Sequence, residues 1–175
     1  MTGVQTCALP ICTVLVTGGS RGIGRAISQR FASAGHRVCV LAKHPETLAR
    51  ALAWSNPAGP PLVGICVDLE DAAAVPGATQ AALRALGGSL DVLINNAGLF
   101  DMAPIERTTL EVWNRFLAVN LTAPFLVTQA CLPALRESSA GHIINISSIA
   151  GRQGFPQNTA YCTTKYGLRG FSDAL

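Results

Sequence analysis

Tyr161 and Lys165 stand four residues apart in the run YCTTK, and a phenol and an ammonium at i and i+4 share one face of a helix. A free tyrosine ionises with a pKa of about 10 and is a reluctant acid–base catalyst near neutral pH. A fixed cation beside it favours the phenolate and makes proton transfer feasible. The pair therefore points to proton exchange with an oxygen. An exposed helical tyrosine and lysine with no task would share this spacing, so the rest of the chain must supply a reactant and a place to hold it.

A second informative run lies near the other end. Thr17 to Gly24 reads TGGSRGIG between a β-branched and aliphatic run and a helical stretch. Its glycines, Gly18, Gly22 and Gly24, follow the spacing TGxxxGxG, distinct from the GxGxxG fingerprint and from the phosphate loop GxxxxGK(S/T). Between a strand and a helix, such glycines let the backbone approach a pyrophosphate at the helix N-terminus, with Ser20, Arg21 and Ile23 completing the turn. The run reads as a nucleotide-binding loop.

The elements that position these groups alternate in type. Strands are expected at Thr13 to Val16, Arg37 to Leu41, Leu62 to Val67, Val92 to Asn95 and His142 to Ile146. Helices are expected at Gly24 to Ala34, Glu46 to Ala53, Val75 to Leu86, Leu110 to Arg136 and Ala160 to Leu175, with Pro124 and Pro133 kinking or splitting the long one. Thr108 and Glu111 form a capping box at its start. Such alternation implies right-handed crossovers and a parallel sheet. Pro57 to Pro61 and Gly87 to Gly88 read as loops within a single α/β domain.

Composition agrees. The chain has 175 residues, 49% hydrophobic and 13% charged, a balance that suits a parallel sheet covered on both faces. A net charge of +3 with scattered basic residues argues against nucleic acid. The linear sequence suggests no apolar run near the roughly 18 residues of a membrane span and no basic leader, so a cytoplasmic protein is expected. The six cysteines, at 7, 12, 39, 66, 131 and 162, form no CxxC pair or zinc spacing and are expected as reduced thiols. Cys39 and Cys66 fall in apolar strand runs, as small hydrophobes do.

Both ends read as unnatural. Thr2 to Ile11, TGVQTCALPI, matches one reading frame of a widely used sequencing adapter, so residues 1–11 are expected to be foreign and residues 12–175 to form an incomplete domain. Leu175 ends the chain inside a helical pattern with no stop signal.

TGGSRGIG, NNAG at Asn95 to Gly98, INISS at Ile144 to Ser148 and YCTTK together resemble the short-chain dehydrogenase/reductase family, over nearly everything after Cys12. The resemblance implies a Rossmann-type, doubly wound parallel sheet, here with about five strands, and a catalytic set of Asn120, Ser148, Tyr161 and Lys165. Tyr161 would donate the proton, and Lys165 would hold the nicotinamide ribose. Ser148, thirteen residues before the tyrosine, would bond the carbonyl oxygen, and Asn120 would interrupt its helix and hold a water relaying protons to Lys165. Asp68 resembles the residue that contacts adenine. Asn95, Ala97 and Gly98 would lie against the cofactor, with a structural role for Asn95 and Asn96 weighing at least as heavily. The second strand ends in Leu41, Ala42 and Lys43, without a carboxylate to repel a 2′-phosphate and with Lys43 and Arg21 to bind one, so NADP(H) is expected over NAD(H). The implied reaction is reduction of a ketone or aldehyde, or oxidation of a secondary alcohol, in a protein that is a homo-oligomer at full length. Alternatives are a 3-oxoacyl-carrier-protein reductase and a nucleotide-binding scaffold without turnover. The 175-residue chain by itself is expected to be unstable or inactive, because the edge of its fifth strand is unpaired.

Overall fold

The structure, a computed structural model, describes residues 11–54 and 59–175. All of the suspected foreign segment except Ile11, Cys7 within it, and residues 57 and 58 of the proline-rich loop lie outside the described residues.

Five parallel strands form one sheet in the order β3-β2-β1-β4-β5, with β1 Thr13–Thr17, β2 Arg37–Ala42, β3 Val63–Cys66, β4 Val92–Asn95 and β5 His142–Asn145. Between them run α1 (Gly22–Ser33), α2 (Pro45–Leu52), α3 (Ala74–Ala85), α4 (Leu110–Leu117) and α5 (Ala123–Glu137), and α6 (Thr159–Asp173) follows β5. Side chains alternate across the strands, so the sheet has two apolar faces. Leu15, Cys39, Leu41 and Leu93 pack with Val75, Leu83 and Leu86 around α3 and with Val127, Cys131 and Leu135 of α5. Val14, Val16, Val38, Val40 and Ile94 pack on the other face with Ala32 of α1 and Leu48 of α2. This is the doubly wound arrangement. Chain order reverses between β1 and β4, and the open crevice of such a sheet lies at the carboxyl ends of the strands beside that reversal.

The opposite end of the sheet is clasped by Asp91. Its carboxylate accepts from Thr13 N at 2.7 Å, Thr13 Oγ1 at 3.0 Å and Ser138 Oγ at 2.6 Å. The Ser138 hydroxyl, followed by the Thr13 donors, holds this carboxyl below its ordinary value.

Three local expectations change. The helix over 110–137 is divided not at a proline but by a π-helical turn, Ala118–Thr122, which contains Asn120. Pro124 follows that turn as the second residue of α5. The cap of α4 is Thr109, whose side chain accepts from Val112 N at 3.2 Å. Thr108 lies one residue before the cap, its hydroxyl donating to Pro104 O at 3.2 Å. Cys66 is exposed on the edge strand β3 and donates to Lys43 O at 3.4 Å, whereas Cys39 and Cys131 are buried thiols pushed up to about 12 by desolvation.

The helical stretch Leu110–Glu137 is also long and apolar enough to cross a membrane by length and composition, contrary to the linear reading. Here Ala123, Val127, Cys131 and Leu135 from that stretch lie in the sheet-facing core.

Candidate active site

The glycine loop begins where β1 ends. Gly18 and Gly22 adopt φ of +66° and +53°, which side-chain-bearing residues rarely adopt. A Cβ on Gly24 would run into the carbonyl of Gly18 and the amide of Asn96. Helix α1 starts at Gly22, two residues earlier than its expected start. Its N-cap, Arg21, makes no side-chain cap bond, and no acid stands in its first turn. The amides at that end are thus left for an anion. Ser20, by contrast, is buried against α2, its Oγ 3.2 Å from Thr47 Oγ1.

Two side chains that sequence reasoning left without a ligand role shape this loop from below. Thr17 Oγ1 accepts from Asn96 N and Ala97 N, each at 3.0 Å, and Asn96 Nδ2 donates to Thr17 O at 3.0 Å and Gly18 O at 3.3 Å. Asn96 therefore locks the end of β4 to the glycine loop. Asn95 does not reach the crevice. Its amide is buried and donates to Thr128 Oγ1 at 3.1 Å and Asn145 Oδ1 at 2.8 Å, tying β4 to α5 and β5. Its expected place among cofactor-binding residues gives way to the structural one.

A cleft of about 610 Å³ opens over these strand ends. Gly18, Ser20, Arg21, Gly22, Ile23, Gly24, Lys43, Asp68, Ala97 and Gly98 all line it, as expected for a dinucleotide. So do His44, Glu70 and Arg115, which the linear sequence did not mark. Their signal is tertiary. Lys43 Nζ sits 2.7 Å from Asp68 Oδ2 and 3.7 Å from Glu70 Oε2, and Arg115 Nε of α4 sits 3.0 Å from Glu70 Oε1. The reading that no carboxylate stands near Lys43 holds along the strand but fails across the sheet, because β3 brings two acids alongside. Bonding to Asp68 raises the Lys43 pKa. Burial pushes Asp68 up, but Lys43 and the N–H of Glu70 outweigh it and leave the carboxyl below its ordinary value.

Tyr161, Lys165, Asn120 and Ser148 do not line that cleft; three of them gather past its Gly98 end. A Cβ on Gly98 would stand 3.5 Å from Asn120 Oδ1 and 3.6 Å from Lys165 Nζ, so the bare backbone there lets these two approach. Lys165 and Tyr161 share one face of α6, with Nζ 5.8 Å from the centre of the phenol ring. Lys165 is 4% exposed, and desolvation holds its pKa below the ordinary lysine value. Its ammonium donates to Ile146 O at 2.8 Å, two residues before Ser148. Ser148 is half-buried and caps the turn Ile149–Gly151, its Oγ accepting from Ala150 N at 3.1 Å. The hydroxyl hydrogen is not used by that bond. Ser147 has a structural role, donating to Lys165 O at 3.4 Å.

Asn120 is 1% exposed. Its Nδ2 donates to Leu99 O at 3.0 Å and Thr164 Oγ1 at 3.1 Å, and its Oδ1 accepts from Leu99 N at 2.7 Å. Both amide hydrogens are spent, which leaves one lone pair on Oδ1 for the expected water. The side chain is a clamp between α6 and the segment after β4. Chemically, an ammonium stands at the Gly98 end of the cleft with a phenol beside it on α6, and its backbone partner Ile146 lies two residues before a serine hydroxyl. Such a set can donate a proton to an oxygen that is gaining negative charge.

Comparison with known proteins supplies the family and the fold. A family profile described as short chain dehydrogenase matches residues 12–175. The 2,5-dichloro-2,5-cyclohexadiene-1,4-diol dehydrogenase LinX of Sphingobium indicum is 39% identical, over 91% of this chain and 64% of its own length. The D-threitol dehydrogenase of Mycolicibacterium smegmatis is 37% identical, over 92% of this chain and 62% of its own. The chain thus spans a little over three fifths of the length of these curated relatives. A crystal structure of a metagenomic short-chain oxidoreductase in complex with NADP superposes with a TM-score of 0.87 at 36% identity, covering 95% of this chain and 75% of that one.

Proposed function

The chain belongs to the short chain dehydrogenase family, and on that premise we propose that it is an NADPH-dependent reductase of a ketone or aldehyde, reversible as an alcohol dehydrogenase. The observation that carries this reading is the meeting of Asn120 and Lys165 at Gly98, where the cleft gives way to the Tyr161 face of α6. Two named relatives, dehydrogenases of a cyclohexadienediol and of threitol, support a small secondary alcohol or its ketone.

The residues divide the work. Gly18, Gly22 and Gly24 leave room for a pyrophosphate at the head of α1, where uncapped amides attract it. Arg21 and Lys43, both at the cleft, would bind a 2′-phosphate, and the NADP in the metagenomic relative supports that preference. When bound, the dihydronicotinamide supplies a hydride. Tyr161 gives its phenolic proton to the substrate oxygen as negative charge develops there, and Ser148 donates to the same oxygen. Lys165, held by Ile146 O, keeps a positive charge beside the phenol. Asn120 keeps Leu99, and hence the cleft's Gly98 end, in place.

The test is turnover of a panel of ketones, aldehydes and acyl-carrier substrates, each with NADPH and with NADH. Oxidation of NADPH in preference to NADH by a free ketone is expected. Preference for NADH would overturn the cofactor assignment, preference for acyl-carrier thioesters would move the activity to that class, and cofactor binding without any oxidation would leave a scaffold.

A further inference from the structure

Phe100 is an exposed aromatic side chain placed against the proposed acid. Its ring centre lies 5.0 Å from that of Tyr161 at an interplanar angle of 83°, an edge-to-face pair. It nevertheless remains 64% exposed. An exposed phenylalanine on a loose loop would mean little, but this loop is fixed on both sides. Leu99 is held through its N–H and its C=O by Asn120, at 2.7 and 3.0 Å. Three residues on from Phe100, Ala103 N donates to Gln157 O at 2.9 Å. Gln157 adopts φ of +61°, the one non-glycine residue with positive φ among those described, and so turns the segment before α6 at this junction. The ring is presented, not merely left out.

The surroundings repeat the character. Met102 in the same loop and Ile149, directly after Ser148, are 55% and 65% exposed. Any substituent on the Phe100 side of a carbonyl held by Tyr161 lies against that ring. An apolar substituent covers that ring and gains from its burial, whereas a hydroxylated one loses water there with no partner in return.

Resting on the oxidoreductase reading above, we propose that Phe100 is a specificity-determining residue that selects carbonyl substrates bearing an apolar ring beside the reacting carbon, such as aryl or alicyclic ketones, over short hydroxylated ones. The role is separate from proton transfer. It concerns which substituent lies against the Tyr161 side of the site.

The experiment compares acetophenone and cyclohexanone with hydroxyacetone, using wild type, Phe100→Ala and Phe100→Leu. Two quantities are read: kcat/KM with each nicotinamide cofactor, and the Kd of acetophenone with oxidised cofactor present, by calorimetry. The ratio of kcat/KM for ring ketone over hydroxyacetone is expected to fall about tenfold or more in Phe100→Ala, and acetophenone to bind weaker by a similar factor. Phe100→Leu, which keeps an apolar surface, should recover part of both. An unchanged ratio and Kd, or equal losses on both substrate classes, would overturn the inference, as would a wild-type protein that reduces hydroxyacetone but neither reduces nor binds ring ketones. A wild type that oxidises neither cofactor with any ketone overturns the oxidoreductase reading, and this inference with it.

Discussion

Lys165 Nζ donates to Ile146 O at 2.8 Å, so the backbone at the end of β5, and not a carboxylate, holds the buried ammonium. None of the ion pairs among the described residues includes it. A cation in this position is costly to keep charged, which is the physical reason its pKa lies below the ordinary 10.5.

That cost makes stability depend on pH. Between the lowered folded-state pKa and the ordinary 10.5, the unfolded chain binds more protons than the folded one, so unfolding free energy rises with pH in that window. In Lys165→Met this slope should vanish. Urea denaturation of the two proteins from neutral pH up to that value should show wild type gaining stability relative to the variant as pH rises. A flat or falling difference would contradict the buried-cation account.

The glycine loop is packed to backbone distance at Gly24. Gly24→Ala should cost about 1–3 kcal/mol of stability through overpacking and weaken dinucleotide binding about tenfold or more. Gly77→Ala in α3, where a new methyl meets nothing within 4 Å, serves as the contrast and should stabilise by about 0.5–1 kcal/mol. Thermal melts and nucleotide fluorescence titrations measure both. Equal behaviour of the two variants would remove the steric argument.

The charged rim of the cleft should discriminate between cofactors. Lys43→Ala is expected to weaken NADPH about three- to tenfold with a smaller effect on NADH, while Glu70→Gln, which removes the carboxylate beside Arg115 and one of the two beside Lys43, should shift the ratio the other way. Both effects should shrink as salt is raised. Parallel changes in the two affinities would show that the rim does not read the 2′-phosphate.

What the sequence disclosed and what it hid follow one rule. Tyr161 with Lys165, and the glycines from Gly18 to Gly24, were legible because their geometry is set by neighbours on the same helix or turn. The parallel sheet was legible because its strands are nearly all apolar, as a sheet covered on both faces requires. The acids beside Lys43 were not, since Asp68 and Glu70 follow β3 and Arg115 comes from α4. Asn95 could be ligand or strut by its place in a motif, and only pairing with β5 and packing of α5 reveal that its NH2 group is spent on Thr128 and Asn145. Thr108 and Thr109 are adjacent threonines, and which one caps α4 depends on where the helix begins, which is at Leu110. Phe100 carries no periodic signal at all; its meaning lies in what it faces.

Tyr161→Phe tests the central claim most directly, because it deletes one hydroxyl and keeps the ring that Phe100 and Lys165 contact. Steady-state reduction of a ketone that wild type accepts is the measurement, with NADPH affinity taken on the same samples. The account predicts turnover lower by about 10²–10⁴-fold with cofactor affinity nearly unchanged. Turnover close to that of wild type would contradict it and leave the proton to come from elsewhere.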